Sequence, residues 1–189
     1  MISNFDQLDL SKRYSYADYL TWRFKERVEL FRGWVQKMSP APGRRHQEVT
    51  NRINVSLFNY LDKKQCQVYV APFDVVLDRS GADTVVQPDV CVVCDLNKLT
   101  DQGCSGAPDL MVEVLSPGNS SKEKRDKFDL YQENGVREYW IVSLQEETIY
   151  AYDLNEQGVY VGRPPFIQGM TLSSSAVSGF SLDVSSAFA

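Results

Sequence analysis

Apolar residues recur at four-residue spacing through Arg44–Leu61, where Val49, Ile53, Leu57 and Leu61 form one stripe with Tyr60 beside it. That period predicts an amphipathic helix, the longest in the chain. His46, the only histidine, stands three residues before Val49 and extends the stripe to the N-terminal end. Two placements suit it: a satisfied core or cap residue, or the edge of an active site. Before this helix, residues 15–22 predict a short helix capped by Ser15. Residues 27–38 read as two short strands turning at Arg32 and Gly33, with Glu29 between Val28 and Leu30. Residues 39–43 carry two prolines and a glycine and predict a loop.

After the long helix the pattern changes to runs of β-formers. Residues 66–77 predict one long strand with a bulge at Pro72. A turn follows at 78–81, then a strand over 85–94 and a polar loop over 95–106. Residues 138–142 are a buried strand, and 148–154 with 159–162 a hairpin turning at 156–158. Residues 164–189 are Ser-rich but keep Phe166, Ile167, Leu172, Phe180, Leu182 and Val184, which predicts a strand and a closing turn packed on the body.

The stretch from Asp109 to Lys127 carries the chemistry. Met111, Glu113 and Leu115 fall on one face of a strand and Leu110, Val112 and Val114 on the other, so both faces are buried. An ionised carboxylate there costs on the order of several kcal/mol unless it is paired or bound to a metal. A turn at 116–118 leads into a charged helix from about Lys122 to Asn134, closed by Gly135 as a left-handed cap. It brings Lys122, Lys124, Arg125 and Lys127 back over the strand end. If the strands over 85–94 and 110–115 pair antiparallel, Asp89 meets Glu113 and one divalent ion bridges both carboxylates. Magnesium suits such a site, having few hard oxygen ligands and water to complete the shell. Asp109 shares a face with Glu113 but lies about 13 Å away along a strand; we read it as a structural acid.

Length and composition limit the rest. The chain has 189 residues, 43% hydrophobic and 24% charged, as expected for one soluble globular domain with a sizeable core. No apolar run reaches the roughly 20 residues that span a bilayer, and the N-terminus lacks the regions of a signal peptide, which predicts a cytoplasmic protein without membrane association. Cys66, Cys91, Cys94 and Cys104 show no disulfide framework. Cys91 and Cys94 have CxxC spacing within a strand, where they point to opposite faces, and no second ligand pair exists for zinc; all four read as small buried thiols. The net charge of −5 argues against non-specific coating of DNA. Residues 37–64, however, hold Lys37, Arg44, Arg45, Arg52, Lys63 and Lys64 against Glu48 and Asp62, either a phosphate-contacting face or a solvated helix surface.

Three runs together are similar to a known family: Pro88 and Asp89; residues 107–117, with Asp109, Glu113 and Pro117; and residues 127–142, with Lys127, Tyr131, Gly135, Tyr139 and Trp140. They resemble the Uma2 family, a domain abundant in cyanobacteria, within the PD-(D/E)XK or restriction-endonuclease-like superfamily. Residues 28–40, with His46 and Gln47, extend the likeness over most of the chain. The resemblance implies an α/β, restriction-endonuclease-like fold with a mixed central β-sheet flanked by helices, as a single nuclease-like domain over residues 1–189. It implies Asp89 and Glu113 as metal ligands with the backbone carbonyl of Val114 as a third, holding Mg²⁺ or Mn²⁺. The lysine expected two residues after the acid is absent, since Leu115 stands there, and Lys127 on the following helix is its substitute. Its role would be to orient and acidify the attacking water. Glu29 matches an N-terminal acid, an auxiliary ligand or base. His46, Glu123 and Lys124 are auxiliary candidates, Glu123 being placed one helical turn before Lys127 to pair with it. Tyr131, Tyr139 and Trp140 read as core. The implied activity is Mg²⁺-dependent endonucleolytic hydrolysis of nucleic acid, DNA in particular. Apart from the resemblance, a single basic helix face on a small chain would favour a homodimer gripping a duplex. The alternatives are a catalytically inactive nuclease-fold module that binds nucleic acid or protein, and a structural or regulatory dimer.

Overall fold

The computed structural model describes every residue except 1, 3, 39–41, 78–82 and 117–120. In chain order the elements are α1 (Tyr16–Tyr19), β1 (Val28–Phe31), β2 (Trp34–Lys37), α2 (Arg44–Leu61), β3 (Gln67–Val70), β4 (Asp74–Leu77), β5 (Thr84–Val86), β6 (Val90–Val93), β7 (Leu99–Thr100), β8 (Gly103–Ser105), β9 (Leu110–Leu115), α3 (Ser121–Asn134), β10 (Glu138–Ser143), β11 (Thr148–Leu154), β12 (Tyr160–Gly162), β13 (Thr171–Ser173), β14 (Ser181–Asp183) and α4 (Val184–Phe188). Among the described residues the strands form a central six-stranded sheet ordered β12-β11-β10-β9-β6-β3, a second of six ordered β2-β1-β5-β4-β8-β7, and the pair β13-β14. The central sheet is mixed. β9 runs parallel to β10 through the α3 crossover, and antiparallel to β6. This is the mixed α/β sheet with flanking helices that the sequence predicts.

Side-chain alternation on the central strands decides what covers each face. Val90, Val92, Leu110, Val112 and Val114 pack with Val49, Ile53 and Leu57 of α2. Cys91, Val93, Met111 and Tyr139 point the other way, onto Leu130 and Tyr131 of α3 and onto Val75 and Leu77 of the second sheet. β1 is buried along its whole length. Its alternate residues divide between two cores, Val28 and Leu30 joining Trp22 and Val85, and Phe31 joining the α3 side.

Local signals explain the helix ends. Ser15 and Asp18 make a reciprocal capping box at α1. Gly135, at φ 82°, closes α3: its N–H donates to the Gln132 carbonyl, and that of Val136 to the Tyr131 carbonyl. The hairpin β1–β2 turns at Arg32 and Gly33, with φ 51° and 82°, a pair of left-handed residues whose twist suits a two-residue hairpin.

Five expectations need correction. The strand predicted over 66–77 is two strands, β3 in the central sheet and β4 in the second, parted by a cis Ala71–Pro72 bond. The strand predicted over 85–94 is likewise β5 and β6, parted at Gln87–Asp89. In both places a proline lacks the N–H that would continue a ladder, and the chain passes from one sheet to the other. The polar loop over 95–106 contains β7 and β8, and β8 pairs parallel to β4. Beyond the strand and turn expected of it, the C-terminal stretch ends in a helix, α4. Residues 174–176 are tied to the sheet by Glu138, a fully buried carboxylate that accepts from the N–H groups of Ser175 and Ala176 at 3.0 Å each and from the Ser174 hydroxyl, and also from Trp140 Nε1 at 2.7 Å and from Arg163. The expected turns and loops at 39–41, 78–81 and 117–118 lie outside the described residues.

The fifth correction concerns the cysteines. Cys66 and Cys94 are joined in a disulfide, while Cys91 and Cys104 are free and buried. Register explains the pairing. Gln67 lies opposite Val93, so the next residues outward, Cys66 and Cys94, face each other across an antiparallel ladder. The bond clips edge strand β3 to β6 and closes a loop with a sequence separation of 28. Reduction, or Cys66→Ser, is expected to lower unfolding free energy by about 3 kcal/mol. Urea titrations with and without reductant measure this, and identical midpoints would show that the bond constrains nothing.

Candidate active site

The register of β6 and β9 builds the site. Val90 lies opposite Val112, so Asp89, the residue before β6, comes close to Glu113, and both line one cavity. Asp89 is held there by the Val114 N–H, which donates to its Oδ2 at 2.8 Å. Glu29 reaches the same place from β1 in the second sheet, and the N–H of Gln87 donates to its Oε1 at 2.8 Å. The break between β5 and β6 thus supplies Gln87 to one acid and Asp89 as another.

Lys127 comes from α3. Its Nζ lies 2.9 Å from Glu113 Oε1 and 3.2 Å from Glu29 Oε1, with all three side chains buried or nearly so. One helical turn later, Tyr131 donates its hydroxyl to the same Glu113 oxygen at 2.6 Å. Tyr131 is buried, as expected of core, but its phenol is part of this cluster. Its spacing of four from Lys127 is the signal in the sequence, because i and i+4 share a helix face. Tyr139 and Trp140 are core.

His46 stands at the first turn of α2. Its Nε2 is 3.2 Å from Asp89 Oδ2, its ring also bonds the Val114 carbonyl, and Nδ1 lies 3.4 Å from the Thr50 hydroxyl. It is buried with its ring nitrogens partnered, and it lines the cavity that holds Asp89 and Glu113. Glu123 lines the cavity wall, and Lys124 lines a smaller recess behind Glu113. Asp109 is apart from the cluster, accepting from the Cys94 N–H at 2.8 Å and from Arg137 at 3.0 Å. The basic residues of 37–64 do not form one open face. Arg44 pairs with Glu48, Lys37 with Glu26, and Arg45 with Glu48 and Glu147; Arg45 and Arg52 also donate to carbonyls of α4.

These groups open on a cavity of about 200 Å³ whose wall also carries Arg27, Gln36, Lys37, Ser116 and Lys122. Its floor is short of positive charge. Glu29, Asp89 and Glu113 face one lysine and one imidazole. Burial drives the Glu113 carboxyl up to about 7, with Lys127 opposing the rise and Asp89 and Glu29 adding to it. Burial works against the Lys127 ammonium, yet Glu113 and Glu29 outweigh it and hold its pKa above the usual lysine value. For His46, burial is outweighed by Asp89 and the Val114 carbonyl, and its pKa is raised.

The raised groups set a pH dependence. Between about 4.5 and about 7 the folded protein holds a proton on Glu113 that the unfolded chain has lost, so stability falls as pH rises through that window. His46, also raised, acts in the same direction from its ordinary value of 6.5 upward. Denaturation at pH 5.5 and pH 8 in EDTA is expected to show the drop in the native protein and a smaller one in Glu113→Gln; equal drops would remove Glu113 as its source.

The Uma2 family model, described as "Putative restriction endonuclease", matches residues 16–185. The chain belongs to the Uma2 family. This Uma2 chain is 29% identical over 144 residues to the uncharacterized protein slr1290 of Synechocystis, covering 75% of this chain and 74% of that one. Its fold matches a crystal structure from Anabaena variabilis described as a putative nuclease of DUF820, with TM-score 0.69 and 16% identity, over 87% of this chain and 90% of that one. No helix among the described residues is long and apolar enough to cross a membrane.

Proposed function

We propose that this Uma2 chain is a divalent-metal-dependent endonuclease that hydrolyses phosphodiester bonds, with DNA as substrate, and that residues 1–189 act as one nuclease domain. The observation that carries the reading is the buried lysine–carboxylate cluster, Lys127 between Glu113 and Glu29, in a cavity that Asp89 also lines.

The donor set suits a hard divalent cation. Among the described residues no group of three or more His, Cys, Asp or Glu side chains forms a ready cage. Magnesium does not require one, since it binds through one or two carboxylates and keeps its waters. Such a cation would offset the charge of Glu29, Asp89 and Glu113 that Lys127 and His46 leave uncompensated. Asp89, Glu113 and the Val114 carbonyl would hold Mg²⁺ or Mn²⁺, which when bound lowers the pKa of water and neutralises charge on phosphate oxygens.

The chain's own residues do the rest. Lys127, kept cationic by its two carboxylates, orients the attacking water and stabilises negative charge at the phosphate; it is not a base. Glu29 fixes the ammonium from the second sheet, and Tyr131 fixes Glu113. Arg27 and Lys122 on the cavity wall offer positive charge to the flanking phosphates. The lysine expected two residues after Glu113 is therefore replaced from α3, with its charge delivered to the same carboxylate.

The test is incubation of supercoiled plasmid, linear duplex and RNA with Mg²⁺ or Mn²⁺. Nicked or linear plasmid that disappears with EDTA is expected. A protein that cuts none of the three in either metal sinks the nuclease reading, and retained nucleic-acid binding would then identify a non-catalytic module, the reading that Leu115 in place of the expected lysine favours.

A further inference from the structure

A second hollow, of about 500 Å³, lies beside the catalytic cavity and shares Gln87 with it. Tyr69 and Phe73 line it, with ring centroids 4.2 Å apart and planes within 8°. Its polar rim is Asp74 with Thr100, Asp101 and Gln102 of the β7–β8 turn. Gln87 is the partition. Its backbone N–H holds Glu29 in the catalytic cavity, its side-chain oxygen accepts from Arg27 at 2.7 and 2.9 Å, and its side-chain nitrogen donates to Asp74 in the hollow at 2.7 Å.

We propose that this hollow receives an unpaired nucleobase of the strand whose phosphate occupies the catalytic cavity. The inference rests on the nuclease reading and narrows its substrate to single-stranded or locally opened nucleic acid. Flat aromatic rings beside amide and carboxylate groups recognise a planar heterocycle with donors on its edge. Asp74 and Asp101 repel phosphate, so the hollow takes the base and leaves the backbone to the Arg27 side. A base stacked inside a duplex has no free face to offer such a site, so the base must first leave its pair. One side chain separates the two cavities, which places the base in the nucleotide next to the phosphate.

The test uses the native protein in EDTA with a single-stranded oligonucleotide carrying 2-aminopurine at successive positions. Binding is followed by anisotropy of an end label and base stacking by quenching of 2-aminopurine. Quenching is expected at one position, with single strand bound more tightly than its duplex. Tyr69→Ala with Phe73→Ala is expected to weaken single-strand binding about tenfold or more, the loss of one stacked base. Gln102→Ala, on the exposed turn, should weaken quenching if the aromatic variant fails to fold. A strand that is bound and cut with 2-aminopurine unquenched at every position overturns the base hollow and leaves the nuclease reading standing. Free 2-aminopurine nucleotide quenched at the same concentration as the strand also overturns it, since the site would then take mononucleotides. Absence of both binding and metal-dependent cleavage overturns both readings.

Discussion

Lys127→Met is expected to reduce cleavage by about 10²–10³-fold, the scale on which a single preorganised charge acts on a transition state. It should also cost stability. Lys127 is the ammonium that Glu113 and Glu29 share at 2.9 and 3.2 Å, and all three are buried or nearly so. Removing one member of a buried ion cluster leaves charge uncompensated, at a cost of about 3 kcal/mol. Glu113, already raised to about 7, would take up a proton at higher pH and relieve part of that cost, so the variant's loss of stability should be larger at pH 8 than at pH 5.5. Lys127→Arg is not expected to restore activity, because the planar guanidinium cannot place a single donor where the ammonium sits. Cleavage rates with urea titrations at both pH values check this. Full activity in Lys127→Met would show that the ammonium serves the fold alone.

Glu113→Gln is expected to reduce cleavage by about 10³-fold, a loss of several kcal/mol of charge stabilisation, without unfolding the protein. Glutamine keeps an acceptor for Tyr131 and Lys127 while removing one of three clustered negative charges. At pH 8 without metal the variant should be at least as stable as the native chain, whereas a structural carboxylate would give a weaker fold. A rate unchanged by the substitution would remove Glu113 from the reaction.

The site was legible where it depends on register and spacing. Asp89 at the start of one strand and Glu113 near the end of another come close because β6 and β9 pair antiparallel; the sequence supplied the two acids, and their proximity was conditional on that pairing. Lys127 was legible through the family resemblance, and the structure brings it to Glu113. What escaped depends on contacts between elements distant in sequence. Gln87 looked like an interior strand residue because apolar alternation continues across Gln87–Pro88, and the change of sheet there leaves no local mark beyond the proline. Tyr131 looked like core because a buried phenol and a buried phenylalanine give the same pattern. The Cys66–Cys94 pair requires knowing that β3 and β6 are neighbours. In the long helix, period located the buried stripe, but charge counting could not say that Arg45 and Arg52 are engaged with the C-terminal helix.

If Glu29, Asp89 and Glu113 leave negative charge that a divalent cation offsets, the protein binds that cation through Glu113. Calorimetric titration of Mn²⁺ into the native protein and into Glu113→Gln, both confirmed as folded, tests it most directly. Saturable binding is predicted in the native protein and its loss in the variant. No binding in the native protein, or the same binding in both, would contradict the account.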